Sequence, residues 1–146
     1  MPTPEENREL ARRFMEEVFN NKNLDYAEEW MDDGFIEHSP QAPDIPPDKK
    51  GTLESFRMMF AASPDMKAEV LDLIASGNKV AIRGRFSGTD QGGFMPGTPA
   101  TGKPFSMEGI DVVTLTDDGR LSEHYGVVDV MGAMGQLGLL PPSPGA

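Results

Sequence analysis

Two aspartates occupy positions where a strand would ordinarily carry an apolar side chain. Asp111 interrupts the run Gly-Ile-Asp-Val-Val-Thr-Leu, and Asp129 sits in Gly-Val-Val-Asp-Val-Met-Gly. An ionised carboxylate on an inward strand position is costly to bury unless it is partnered or its pKa rises. Such positions concentrate at functional sites. The chemistry that fits is proton transfer. A desolvated Asp129 of raised pKa would be its general acid and base. The structural alternative is that Asp129 is the N-cap of a helix starting near Val130. Asp111 is a second acid, a group orienting Tyr125 or His38, or a buried polar group satisfied by its neighbours. His38, close ahead of Pro40, could polarise a carbonyl or shuttle a proton. Tyr125 could donate a hydrogen bond to an enolate oxygen.

The bulk composition narrows the rest. The chain has 146 residues, enough for a single domain with a core, and a net charge of −11, a poor match for nucleic acid or an anionic membrane surface. There is no cysteine, so thiol catalysis, disulfides and thiolate metal sites are excluded. With only two histidines, His38 and His124, a histidine-rich metal site is excluded as well, and no metal is expected. Residues 1–15 lack the apolar core of a secretory signal, and no run approaches a membrane span, so the expected location is the cytoplasm.

The elements that would position these groups follow from periodicity. Thr3-Pro4-Glu5-Glu6 is a helix start, and Leu10, Ala11, Phe14, Met15, Val18 and Phe19 recur at helical spacing until Asn20–Asn23. Leu24, Ala27, Trp30 and Met31 mark a second, short helix stopped by Gly34. Phe35–Ser39 is extended. A Pro-rich loop precedes a third helix starting between Asp48 and Thr52, with Leu53, Phe56, Met59 and Phe60 as its buried stripe. From Met66 the period changes to two. Met66–Ala75 alternates imperfectly, as a bulged strand would, and Lys79–Ser87 alternates cleanly. Gly88–Gly102 is a loop without phosphate-loop spacing, read as a rim or dimer contact. Lys103–Thr116 and Arg120–Val130 form a hairpin about Asp117-Asp118-Gly119, followed by a closing helical turn over Met131–Leu137. Helices first and a meander afterwards mean an α+β fold. The expected domain is 1–140, with 141–146 a disordered tail.

The hairpin register decides which groups meet. A three-residue loop with Gly119 left-handed pairs Thr116 with Arg120 and Leu115 with Leu121. Strict alternation then puts Asp111, Val113, Leu115, Leu121, Glu123, Tyr125, Val127 and Asp129 on one face. It makes Asp111 and Tyr125 cross-strand neighbours and sends His124 to the other side. Phe14, Trp30, Met31, Phe56, Met59, Phe60, Phe94 and Glu123 are then the candidate substrate-binding residues of a mostly apolar pocket with few polar groups.

Gly88-Thr89-Asp90-Gln91-Gly92, then Phe94-Met95, then Thr98-Pro99-Ala100-Thr101-Gly102-Lys103-Pro104 resembles the "GTHxGxF…PPTGK" loop of SnoaL-like polyketide cyclases and ester-cyclase-like relatives. Gly109-Ile110-Asp111 and Asp118–Tyr125 resemble the next block, "GIDxxxxxDGKIxExW", and Asp129 with Gln136-Leu137-Gly138 completes it. Glu37-His38-Ser39-Pro40 is similar to the family's early "HxP" element. The loop histidine of the pattern is Asp90 here, and its tryptophan is Tyr125. The resemblance implies a cone-shaped α+β barrel of the nuclear-transport-factor-two-like superfamily, with N-terminal helices in the concavity of a strongly curved, mostly antiparallel sheet. It also implies cofactor-free aldol-type acid–base chemistry on a small hydrophobic carbonyl compound, a homodimer, and Asp129 as the acid and base. Two other readings stay open: a non-catalytic small-molecule binder of the same fold, and an epoxide or lactone hydrolase.

Overall fold

The structure, a computed structural model, describes residues 2–40 and 42–141. The expected C-terminal tail therefore falls almost wholly outside the described residues. Helix α1 (Pro4–Phe14) starts as its sequence dictates, with a reciprocal capping box between Thr3 and Glu6 and Pro at the first turn. It runs on into a π-helical segment, Met15–Asn20, in which the Asn21 N–H donates to the Glu16 carbonyl at 3.0 Å. The wider turn lets Phe14, Met15 and Phe19 all face the interior. Asn20 ends it by pairing its amide with both the N–H and the C=O of Ala68, at 2.8 and 3.0 Å. The helix is thereby pinned to the sheet.

Helix α2 (Leu24–Trp30) is followed directly by strand β1 (Met31–Glu37), so Met31 opens a strand rather than closing a helix. Helix α3 (Lys49–Ala62) is capped by Asp48. Strands β2 (Lys67–Ser76), β3 (Lys79–Thr89), β4 (Pro104–Leu115) and β5 (Leu121–Val128) form the meander, and α4 (Val130–Leu137) closes the chain. The sheet order is β1-β5-β4-β3-β2, antiparallel except for β1 and β5, which run parallel. The expected bulge in β2 lies between Val70 and Asp72. The sheet curls without closing, and the helices cover its concave face, as expected for this α+β class.

The core is the set of residues that links these layers. Phe14, Val18, Phe19, Val80, Ile82 and Phe86 are buried together. Phe19 meets the Phe86 ring edge-on at 5.2 Å. Trp30 is buried with its indole N–H donating to the Gly119 carbonyl at 2.7 Å, which ties α2 to the β4–β5 turn. Among the described residues, no helix is long and apolar enough to cross a membrane.

Candidate active site

The curled sheet and the helices enclose a cavity of about 530 Å³. Its wall is mostly apolar, with Phe14, Phe19, Phe35, Phe56 and Phe86 joined by Met15, Met31, Met59, Met66 and Met107. Three titratable side chains break that wall: Glu37 from β1, Asp111 from β4 and His124 from β5. They form one linear array. His124 Nε2 lies 2.7 Å from Asp111 Oδ1, and His124 Nδ1 lies 2.8 Å from both oxygens of Glu37. The Glu37, Asp111 and His124 side chains are 7%, 15% and 25% exposed.

With a carboxylate on each ring nitrogen, both nitrogens carry protons, and His124 is an imidazolium that donates twice. Burial alone would lower its pKa, but the hydrogen bonds and charges of Asp111 and Glu37 outweigh that and push it up to about 9. Burial would likewise raise Glu37. Its hydrogen bond to His124, the imidazolium charge and the Ser39 N–H instead hold it below the usual carboxylate range. The array therefore carries one positive and two negative charges inside an apolar wall. Asp111 Oδ1 is engaged by His124, and the second oxygen has no other hydrogen bond among the described residues.

Ser39 closes the array. Its N–H donates to Glu37 at 2.8 Å, and its Oγ accepts the Gly126 N–H at 2.7 Å. Gly126 lies opposite Asp111 in the register, and a Cβ there would come within 2.4 Å of Asp111 Oδ1 and 2.9 Å of His124 Cε1. Gly126→Ala is therefore expected to drive Asp111 and His124 apart. A displacement of about 1 Å at a reacting group costs on the order of 10²-fold in turnover. Steady-state assay beside a thermal melt checks it, and an alanine variant with wild-type turnover would show that the close approach is not needed.

The register explains which expectations the structure corrects. Leu115 does pair with Leu121 across a turn in which Gly119 is left-handed (φ 80°). The ladder then shifts, because Thr114 faces Glu123 and Ser122 is the extra residue, its Oγ donating to the Thr114 carbonyl at 3.0 Å. A single bulge reverses the parity of everything beyond it. His124 turns inward, against the expectation that it faces away, while Tyr125 and Glu123 turn outward. Asp111 faces Gly126 rather than Tyr125. On the outer face His38 stacks on Tyr125, with ring centroids 4.1 Å apart, and its Nε2 meets Glu123 at 2.8 Å. None of these three lines the cavity. Asp129 is exposed, and its side chain accepts the Gly132 N–H at 2.9 Å as the N-cap of α4. The capping role, one of its two sequence readings, is the one realised in the geometry.

The apolar candidates divide. Phe14, Met31, Phe56 and Met59 line the cavity. Trp30 is spent on the core and its bond to Gly119, Phe60 packs against Phe19 and Phe56 outside the lining, and Phe94 packs on Phe105 at 5.1 Å. Asp90 is buried, and burial would raise its pKa. Hydrogen bonds from Thr101 and the Gly93 N–H hold it down instead, so it braces the 90–103 loop away from the cavity. Glu37 and His124 are the ionisable cavity-lining groups that strand alternation missed. The one signal available was a carboxylate ending the apolar run Phe-Ile-Glu.

Comparison with known proteins settles what this frame is. Residues 9–137 match the family described as SnoaL-like polyketide cyclase. The chain belongs to that family. It is 29% identical over 144 residues to the aklanonic acid methyl ester cyclase DnrD of Streptomyces peucetius, covering 93% of each chain. The identity is also 29% to DauD, a cyclase of the same description from Streptomyces sp. (strain C5), over 93% of this chain and 84% of that one. Among solved structures, IdmH of Streptomyces antibioticus superposes with a TM-score of 0.78 at 29% identity, covering 90% of this chain and 98% of that one. TsrD of Streptomyces laurentii shares the fold, with a TM-score of 0.83 at 24% identity over 96% and 100% of the two chains. This SnoaL-like chain is thus an enzyme of the cyclase kind, with a hydrogen-bonded array of ionisable groups set into its cavity.

Proposed function

We propose that this SnoaL-like protein closes a ring in a hydrophobic, carbonyl-bearing polyketide ester by a cofactor-independent intramolecular aldol reaction, with Asp111 as acid and base. The observation that carries this reading is Asp111 held at 2.7 Å by His124 on the wall of an otherwise apolar cavity. Asp111 takes a proton from the carbon flanked by carbonyls. The resulting enolate carbon attacks the second carbonyl carbon, a C–C bond forms, and the C=O pair becomes an alkoxide. The alkoxide recovers the proton from Asp111, so product and substrate are isomers. The fixed charge of His124 lies beside the reacting carboxyl, and the apolar wall excludes competing water. In the same proposal the chain works as one domain over 1–140, as a cytoplasmic homodimer.

Hydrolysis with Ser39 as nucleophile is less well supported. Ser39 Oγ is 3.5 Å from His124 Nδ1, but Glu37 already holds that nitrogen at 2.8 Å, and an imidazolium cannot take the serine proton.

The test uses aklanonic acid methyl ester, the compound named for DnrD and DauD. In deuterated buffer the protein should exchange the acidic C–H faster than buffer alone. In ordinary water it should yield a cyclised isomer of unchanged mass. Asp129→Asn should keep both activities, because asparagine also caps a helix and residue 129 lies outside the cavity. Binding of the ester with neither exchange nor ring closure would leave a carrier and sink the acid–base reading.

A further inference from the structure

Among the described residues the cavity lining contains no lysine or arginine, and His124 is the one cation that faces the reacting volume. Asp111 on β4 and Glu37 on β1 are the charged groups that meet it. Helix α3 faces the cavity with Thr52, Ser55, Phe56 and Met59, and α1 with its π-helical extension faces it with Phe14, Met15 and Phe19, none of them charged. His38 and Glu123 pair with each other on the opposite side of the sheet.

Glu37 stands behind the histidine, away from Asp111, and it is more fully engaged than a bystander. Both its oxygens lie within 2.8 Å of His124 Nδ1, Oε1 also accepts the Ser39 N–H, and the side chain is only 7% exposed. The backbone reinforces that placement, because the Glu37 N–H donates to the Pro47 carbonyl and the His38 N–H to the His124 carbonyl. Although this carboxylate borders the cavity, its oxygens are already spent on the ring and on the Ser39 N–H. It acts on the ring between.

We propose that Glu37 is the positioning residue of this site: it fixes the His124 ring and keeps it doubly protonated, so that proton exchange with substrate runs through Asp111 alone. This rests on the acid–base reading above. Without Glu37, Nδ1 would have no anionic partner. His124 would then be free to lose that proton within the working pH range and to compete as a base.

The test is Glu37→Gln in the full chain, which keeps shape and an acceptor oxygen but removes the charge. Two readouts are taken: the NMR titration of His124, and the pH profile of ester cyclisation. An opposite charge at this range moves a pKa by about 1–3 units. In the variant the His124 titration should move down by that amount from about 9. The alkaline limb of the rate profile should move with it, and the rate below pH 6 should change less than at pH 8. A uniform loss of rate at every pH, with the titration unmoved, is the mark of a merely structural carboxylate and overturns the assignment. So does a wild-type His124 that titrates near its ordinary value, a measurement that stands even if the variant does not fold. If the titration moves but the wild-type protein never cyclises the ester, the charge-holding role of Glu37 stands and the acid–base reading falls.

Discussion

Asp111→Asn is expected to lower the rate of ring closure by about 10²–10⁴-fold, the usual worth of a positioned general acid–base. The substitution keeps the shape of the site, although it also removes one of the two anions that raise the His124 pKa. Asparagine has the same outline, and its carbonyl oxygen can still accept the His124 Nε2–H that Asp111 Oδ1 accepts at 2.7 Å. What it cannot do is take a proton from carbon. The loss should therefore appear in kcat, with KM nearly unchanged, because the substrate is held mainly by the phenylalanine and methionine wall. Exchange of the acidic C–H into deuterated buffer should fall in parallel, since it reports the first half of the same step. Asp129→Asn is the control, since both variants remove one negative charge but only Asp111 borders the cavity. If Asp111→Asn stays within tenfold of wild type, the proton leaves by another group and the assignment of Asp111 falls.

The contrast between those two aspartates shows how far the sequence could be read. The family and the curled α+β frame were legible. So were the elements and the turn, because Asp117-Asp118-Gly119 fixes Leu115 opposite Leu121 through local geometry alone. Of the residues lining the cavity, Asp111, Phe14, Met31, Phe56 and Met59 were legible, but Glu37 and His124 were not. Ser122 bears no mark as an extra residue, and either parity of β5 offers apolar side chains to the core. One face would carry Tyr125 and Val127, the other Gly126 and Val128, so alternation could not choose between them. Glu37 was hidden for a different reason. It meets His124 because β1 lies parallel to β5, a pairing between segments some 87 residues apart that no local pattern encodes. The π-helical segment was equally silent, since its apolar spacing reads as ordinary helix across Phe14 to Phe19.

His124→Gln should produce the largest change in stability, and its pH dependence separates a charge array from simple packing. Removing the imidazolium leaves Glu37 and Asp111 facing each other in an apolar wall with no cation between them. Breaking a buried ion pair on one side costs about 3–5 kcal/mol. With the ring a quarter exposed, the lower end applies, about 3 kcal/mol, or a fall of about 6–12 °C in thermal midpoint. The sign follows from the two shifted groups. His124 is raised from 6.5 to about 9 on folding, so its contribution is fully present below pH 6.5 and disappears as pH climbs through about 9. Glu37 is lowered from 4.5, so its contribution is present above pH 4.5 and disappears as pH falls through its folded value. The wild-type advantage over His124→Gln should therefore peak on a plateau between roughly pH 5 and 6.5 and shrink toward both ends. Chemical denaturation of the two proteins at pH 3.5, 7 and 10 measures it. A difference that is constant across that range would mean that His124 contributes only volume, and the charged array proposed as the heart of the site would have to be abandoned.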